Sequence, residues 1–471
     1  MEVKSMFDLI IRRGTVVSAD SSYLADIAIK DSKIVAISET GIFDSAKRVI
    51  DAAGKYVLPG IIDPHCHIHA GVNGIYDTLD FYTASRCAAF GGVTTLLDFS
   101  ESKKGKSVLE AIKERREEMK ACAVDYGIHA KFVEANDKII DEIKDIVAYG
   151  CPTFKLFMTY RKSGVMIEDD DILKVMAEAR AQGAMPGFHC ESNALVEYCT
   201  EKLFQEGNRA WSAFPLSRPN ICELEAVNRI IAYAKFMDCP IYIFHLSTGE
   251  AMDAVYNAQK AGIKVTAETC PHYLTLTDEV YQTADGHLNM MSPPLRSEKD
   301  LNKLWEGLAD GTLTIIGSDN CTFTREIKEQ NLEVNEDGSV KPDFTKVISG
   351  SCGVEERLAL LISEGINKGR ITWNQLVKMT SLNPAKTFGL YPQKGAIQVG
   401  FDADMVIVDP EKEVTLSDET LHYGIGYTIY QGITPKGWPV MTIRRGDILV
   451  EDGKFLGEKG SGQFLHRKLT K

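Results

Sequence analysis

Apolar residues fall along this chain in two textures. Over the first 55 positions they come in short alternating runs, Leu9 to Ile11, Thr15 to Val17, Ile27 to Ile29 and Ile34 to Ile37, with Gly14 and Asp31-Ser32 between them. Alternation broken by turn-forming residues predicts short strands. The same texture returns near the other end: Asp404 to Val408, Val440 to Arg444 and Ile448 to Val450 read as strands, with Gly446-Asp447 and Asp452-Gly453 as hairpin turns. Neither set has enough strands to be stable alone, so the two ends are expected to join into one small β-sandwich.

Between them the pattern becomes apolar strand, loop and amphipathic helix, repeated. Candidate strands end near Pro64, Asp98, Val133, Met158, His189, His245, Thr269 and Asp319, and stretches such as Leu109 to Lys120 and Ile172 to Ala181 carry a helical period. Eight such units predict an α/β fold, a (β/α)8 TIM barrel. An open doubly wound sheet would want a glycine-rich phosphate loop after its first strand, and this sequence has none there. The expected division is 1–55 and 393–452 for the β-sandwich, 56–392 for the barrel, and 453–471 for a tail rich in Gly, Lys and Phe that looks too polar to pack alone.

Composition narrows the partners. With 471 residues and 44% hydrophobic content the chain can bury a sizeable core. A net charge of −13 without a basic stripe disfavours nucleic acid, leaving small neutral or weakly charged substrates. Met1 to Ile11 lacks the apolar stretch of about 7 to 15 residues that a signal peptide needs, and no run of about 18 apolar residues suggests a membrane span. Eleven cysteines without paired spacing suit reduced thiols, so a cytoplasmic protein is expected.

The candidate chemistry lies at the strand ends, where this fold gathers its active sites. The first strand, Tyr56 to Pro64, runs into His65-Cys66-His67, and alternation sends both imidazoles to one side. His189 and His245 each close a further apolar strand. Singly, each reads as a core or surface histidine; four placed alike point to a metal site. Lys155 stands in Thr153-Phe154-Lys155-Leu156-Phe157-Met158, where a cation would be costly beside metal ions. Either its ammonium snorkels to the rim, or its neutral amine has taken up carbon dioxide to form an anionic carbamate that bridges two metals. Asp319, ending the eighth strand, can bind metal through one oxygen and accept a proton through the other as general base. The nucleophile would be a hydroxide shared by the ions. Cys66, Cys190 and Cys321, next to these residues, read as small buried fillers; Asp98 and His272 read as packing or supporting groups.

His65-x-His67, Lys155, His189, His245 and Asp319 resemble the binuclear sites of the amidohydrolase superfamily. Phe154 to Tyr160, His245-Leu246-Ser247, Glu268-Thr269-Cys270-Pro271, Met291 to Arg296, Asp319 to Phe323 and Asn383-Pro384-Ala385-Lys386 together resemble the dihydropyrimidinase and D-hydantoinase family over nearly the whole chain. The resemblance implies hydrolysis of a dihydropyrimidine or 5-substituted hydantoin to an N-carbamoyl amino acid, with Tyr160 donating to the developing oxyanion and the main chain at Ser292 holding the ring amide. It also implies two divalent ions, for which zinc suits the ligands best, an N-carboxylated Lys155, and a homotetramer in which the tail lies across a neighbouring subunit. Two places depart from the family pattern: Ala70 to Tyr76, usually bulkier and apolar, and Val347-Ile348-Ser349-Gly350, usually Pro-Asn-Gly, where the Ser349 backbone still offers contacts. Dihydroorotases would show an arginine where this chain has His69, and allantoinases tend to have histidine at Asn320. Allantoinase is the alternative enzyme, and a metal-free binding protein like the collapsin response mediators is the non-enzyme alternative. Ring size, stereochemical preference and native metal are left open.

Overall fold

The alternating run at the chain start folds into β1 (Phe7–Val17), β2 (Ser22–Lys30), β3 (Lys33–Ser38), β4 (Ala46–Asp51) and β5 (Tyr56–Pro59) in the computed structural model, which describes residues 6–72 and 74–470. Tyr56 to Pro64 is not the single strand its apolar run suggests. The first half pairs with β1, and the chain then crosses at Gly60 into β6 (Ile61–Asp63), the first barrel strand. Any side chain at position 60 would strike Thr94 and Asp404, so the crossing needs glycine. The boundary expected after residue 55 therefore moves to Gly60.

A two-strand hairpin, β7 (Gly71–Val72) and β8 (Ile75–Tyr76), follows the first barrel strand. Asn73 in this loop, like residues 1–5 and Lys471, lies outside the described residues. The other barrel strands are β9 (Val93–Phe99), β10 (Asp125–Lys131), β11 (Thr153–Phe157), β12 (Met185–His189), β13 (Ile241–Ile243), β14 (Val265–Thr269) and β15 (Ile315–Ile316), parallel and adjacent in chain order. Helices α1 (Phe81–Phe90), α2 (Val108–Met119), α3 (Asp137–Ala148) and α4 (Asp169–Gln182) begin the outer layer. On α3, Ile139, Ile143 and Ile146 form the buried stripe that its period predicts, and Asn136 caps its first turn.

The eighth strand has two residues where Leu313 to Ser318 was expected. Its continuation turns out of the ladder, and the barrel closes instead through residues just past the strand ends. The Asp319 amide donates to the His65 carbonyl at 2.8 Å, and the His67 amide donates to the Asn320 carbonyl at 2.7 Å.

After the barrel, β16 (Met405–Glu413), β17 (Lys436–Arg444), β18 (Asp447–Glu451) and β19 (Lys454–Phe455) return to the first sheet, with β16 antiparallel to β5. The two ends thus share one mixed sheet, whose apolar face gathers Ile11, Val16, Ile27, Val57, Met405, Ile407 and Ile443. Where this sheet meets the barrel floor, the buried Lys394 ammonium lies 2.6 Å from Asp125, 2.6 Å from Asp404 and 3.0 Å from Asp402.

The tail packs against the lower end of its own barrel: Tyr126 exchanges backbone hydrogen bonds with Gln463 and Leu465 at 2.9 and 2.8 Å. Arg467 is 1% exposed and donates to Thr153 Oγ1 at 2.8 Å and to the Ile128 carbonyl. Strand ends present enough acceptors to hold its guanidinium. No helix among the described residues is long and apolar enough to cross a membrane.

Candidate active site

Each barrel strand delivers its last side chains upward, so residues far apart in sequence meet above the barrel. His67, Lys155, His189, His245, Asp319, Tyr160, Ser292 and Ser349 all line one cavity of about 900 Å³, and His65 is buried beside Asp319. That volume suits a small ligand.

The geometry falls into two imidazole pairs. His65 and His67 stand with ring centroids 5.3 Å apart, and each points Nε2 at Asp319 Oδ1, at 3.0 and 3.3 Å. His189 and His245 stand 4.5 Å apart. Lys155 lies between the pairs, its Nζ 3.5 Å from His245 Nε2 and 3.8 Å from the centre of the Phe244 ring. At 1% exposure it does not snorkel to the rim. Burial brings its ammonium down to about 8, against the pull of Asp319 and Glu268. Burial likewise pushes His67 down to about 4 and lowers His189 and His245, leaving lone pairs available. Although burial opposes it, the neighbouring His65 and His67 hold the Asp319 carboxyl well below its ordinary range.

These donors fit a metal. Ligand atoms of His65, His245 and Asp319 lie within 4.8 Å of one another, and the His245 Nδ1 and His65 Nε2 atoms are buried without an aligned hydrogen-bond partner. Imidazole nitrogens with a carboxylate oxygen match a borderline divalent cation.

Backbone strain concentrates here as well. His69, Tyr160, His245 and Asp319 hold φ of 50°, 70°, 39° and 50°, in the left-handed region. Such conformations cost about 1–3 kcal/mol each and persist where surrounding structure enforces them.

Several supporting groups escaped the sequence reading. Glu268 accepts from His65 Nδ1 and, at 2.7 Å, from the Tyr242 hydroxyl, which fixes the tautomer and angle of His65. Glu191 lies 2.6 Å from His189 Nε2 and 2.5 Å from Arg218. Burial alone would raise the Glu191 carboxyl; Arg218 and His189 overcome this and hold it at about 2. Alternation could have flagged Glu191, two residues beyond His189 on an extended segment, whereas Arg218 reaches it from a loop that periodicity does not place. Among the other residues singled out, Cys66 and Cys190 are buried fillers, but Cys321 lines the cavity. Asp98 faces Arg115 of α2 at 3.7 Å, away from the site. His272 is buried with no partner for either ring nitrogen among the described residues. Ser292 donates to Ser349 at 3.3 Å, which ties the two loops across the cavity mouth.

The pattern of the amidohydrolase family matches residues 56–449. The chain is 37% identical over 469 residues to a D-hydantoinase of Ralstonia pickettii, covering 98% of this chain and 100% of that protein. It is 36% identical over 465 residues to a D-phenylhydantoinase of Escherichia coli K12, covering 98% of each. Among solved structures it is similar to the dihydropyrimidinase from Brevibacillus agri, with a TM-score of 0.94 and 36% identity, over 98% of this chain and 99% of that one.

Proposed function

The chain belongs to the amidohydrolase family, in its hydantoinase and dihydropyrimidinase branch, and on that footing we propose that it opens a dihydropyrimidine or 5-substituted hydantoin ring by hydrolysis. Water adds across one ring amide: its oxygen joins the carbonyl carbon, the C–N bond breaks, and the ring nitrogen gains a proton, giving an N-carbamoyl amino acid. The observation that carries the reading is Lys155, enclosed between two imidazole pairs and facing Asp319 in a cavity sized for a small ring.

His65, His67, Lys155, His189, His245 and Asp319 would hold two divalent ions, with zinc the best match to imidazole and carboxylate ligands. Such ions supply Lewis acidity toward the ring carbonyl and lower the pKa of the attacking water to roughly 7. For Lys155 to serve, its neutral amine adds to carbon dioxide and releases one proton, leaving a carbamate with two oxygens. Its enclosure favours the neutral amine that this addition needs.

Asp319 is the proton carrier. It takes the proton from the attacking water and passes it to the departing nitrogen. The Tyr160 hydroxyl donates to the carbonyl oxygen as charge gathers there, an interaction worth about 3–4 kcal/mol in comparable sites. Backbone groups at Ser292 and Ser349, whose hydroxyls already meet across the mouth, hold the amide edge of the ring.

A side-by-side assay of the metal-loaded protein tests this. Dihydrouracil or 5-phenylhydantoin should be hydrolysed at least about tenfold faster than allantoin, or roughly 1.4 kcal/mol of barrier difference. The reverse ranking would make it an allantoinase, and a protein that retains no divalent metal would favour a binding role. We also infer a cytoplasmic homotetramer: all eleven cysteines are free thiols, and apolar Tyr198, Leu216, Ile221 and Phe236 stand exposed on the outer barrel helices. Mass measurement in solution should give four chains per particle; a monomer would refute the assembly.

A further inference from the structure

One charged wall of the cavity has no part in the ring-opening chemistry. Lys131, the last residue of β10, is the register partner of Lys155 on β11, so its Cα stands one strand spacing away, about 4.8 Å, at the same height. Lys131 and Glu101 both line the cavity, and Lys131 is only 9% exposed. An ammonium that enclosed is costly unless its donors are used.

The pair is unequally satisfied. The Lys131 ammonium has three donors and one protein acceptor among the described residues, Glu101 Oε2 at 3.0 Å. Glu101 is engaged on both sides, because its Oε1 lies 3.5 Å from the Arg115 guanidinium behind it. The wall therefore offers unused N–H donors to the cavity while its acceptor is already taken. From the opposite side Lys346 also lines the cavity, held loosely by Glu333 at 3.8 Å and Asp343 at 3.9 Å.

We propose that Lys131 anchors an anionic group, a carboxylate carried on a side arm of the substrate. This rests on the ring-opening reading and refines its substrate class. His69 at the first strand leaves no guanidinium for a carboxylate attached directly to the ring, whereas Lys131 stands two barrel strands further round on the wall of the same cavity. An apolar arm would strip water from the ammonium without replacing its hydrogen bonds, and an amide would replace them only with neutral ones; a carboxylate replaces them with a charge-assisted pair.

The test compares 5-carboxymethylhydantoin with its near-isosteric neutral partner, 5-carbamoylmethylhydantoin, on the full-length metal-loaded protein. The wild type should favour the carboxylate by at least about tenfold in kcat/KM, mainly through KM. Lys131→Met should abolish that ratio and Lys131→Arg should keep most of it. Should Lys131→Met fold poorly, Glu101→Gln serves, since releasing the ammonium should widen the ratio. Binding of the two ring-opened products, N-carbamoylaspartate and N-carbamoylasparagine, is measured by calorimetry in parallel. A product preference without turnover of any hydantoin would sink the ring-opening reading and keep the anion site. Equal binding and equal kcat/KM for the charged and neutral pair, with 5-phenylhydantoin turned over, would overturn the anion site alone.

Discussion

Lys155→Ala should lower kcat/KM by at least about a thousandfold, some 4 kcal/mol of barrier, and short-chain acids such as acetate or propionate should restore part of the loss. The substitution removes a buried side chain whose amine lies 3.5 Å from His245 within the imidazole cluster, so the metal content should fall together with the rate. A small carboxylate entering the vacated space offers the two oxygens that a carbamate would have offered. Rescue should saturate with acid concentration and track the return of metal. No rescue at any concentration would leave the lysine as a packing residue and sink its proposed modification.

Lys394→Met should destabilise the fold by about 3–5 kcal/mol, read as a lower midpoint of unfolding in urea. The reason is local: this buried ammonium is shared by Asp125 from the barrel and Asp402 and Asp404 from the approach to β16. Without it three carboxylates face one another, with Lys33, 2.6 Å from Asp402, and Arg445, 3.2 Å from Asp125, as the cations that remain close. Adding Asp404→Asn to the variant should recover part of the loss, because one of the stranded charges is gone. An unchanged midpoint in the single variant would mean that the cluster contributes nothing net.

What the sequence made legible follows from the kind of information periodicity holds. The barrel and its candidate site residues could be noticed because several strands end in a polar residue after an apolar run, and the fold itself brings strand ends together. His189 and His245 needed no knowledge of their neighbours to be noticed. The break at Gly60 was not read: apart from Pro59-Gly60 the run from Tyr56 to Ile62 is apolar throughout, and apolarity alone does not say that its halves pair with different sheets. The supporting carboxylates of Glu268 and Glu191 depend on which loops pack against them, a property of tertiary contact. The burial of Arg467 is likewise a matter of tertiary contact, since its acceptors are the Thr153 hydroxyl and the Ile128 carbonyl of barrel strands.

The single-residue crossing at Gly60 also bears on how a substrate reaches the site. Only that residue separates β5 from β6, and the Lys394 cluster clamps the second crossing, so the mixed sheet and the barrel share no hinge about which they could rotate apart. The way in and out then lies over the cavity itself, past Ala70, Gly71, Gly74 and Ile75 on one side and residues 345–350 on the other, and not through a parting of the sheet from the barrel.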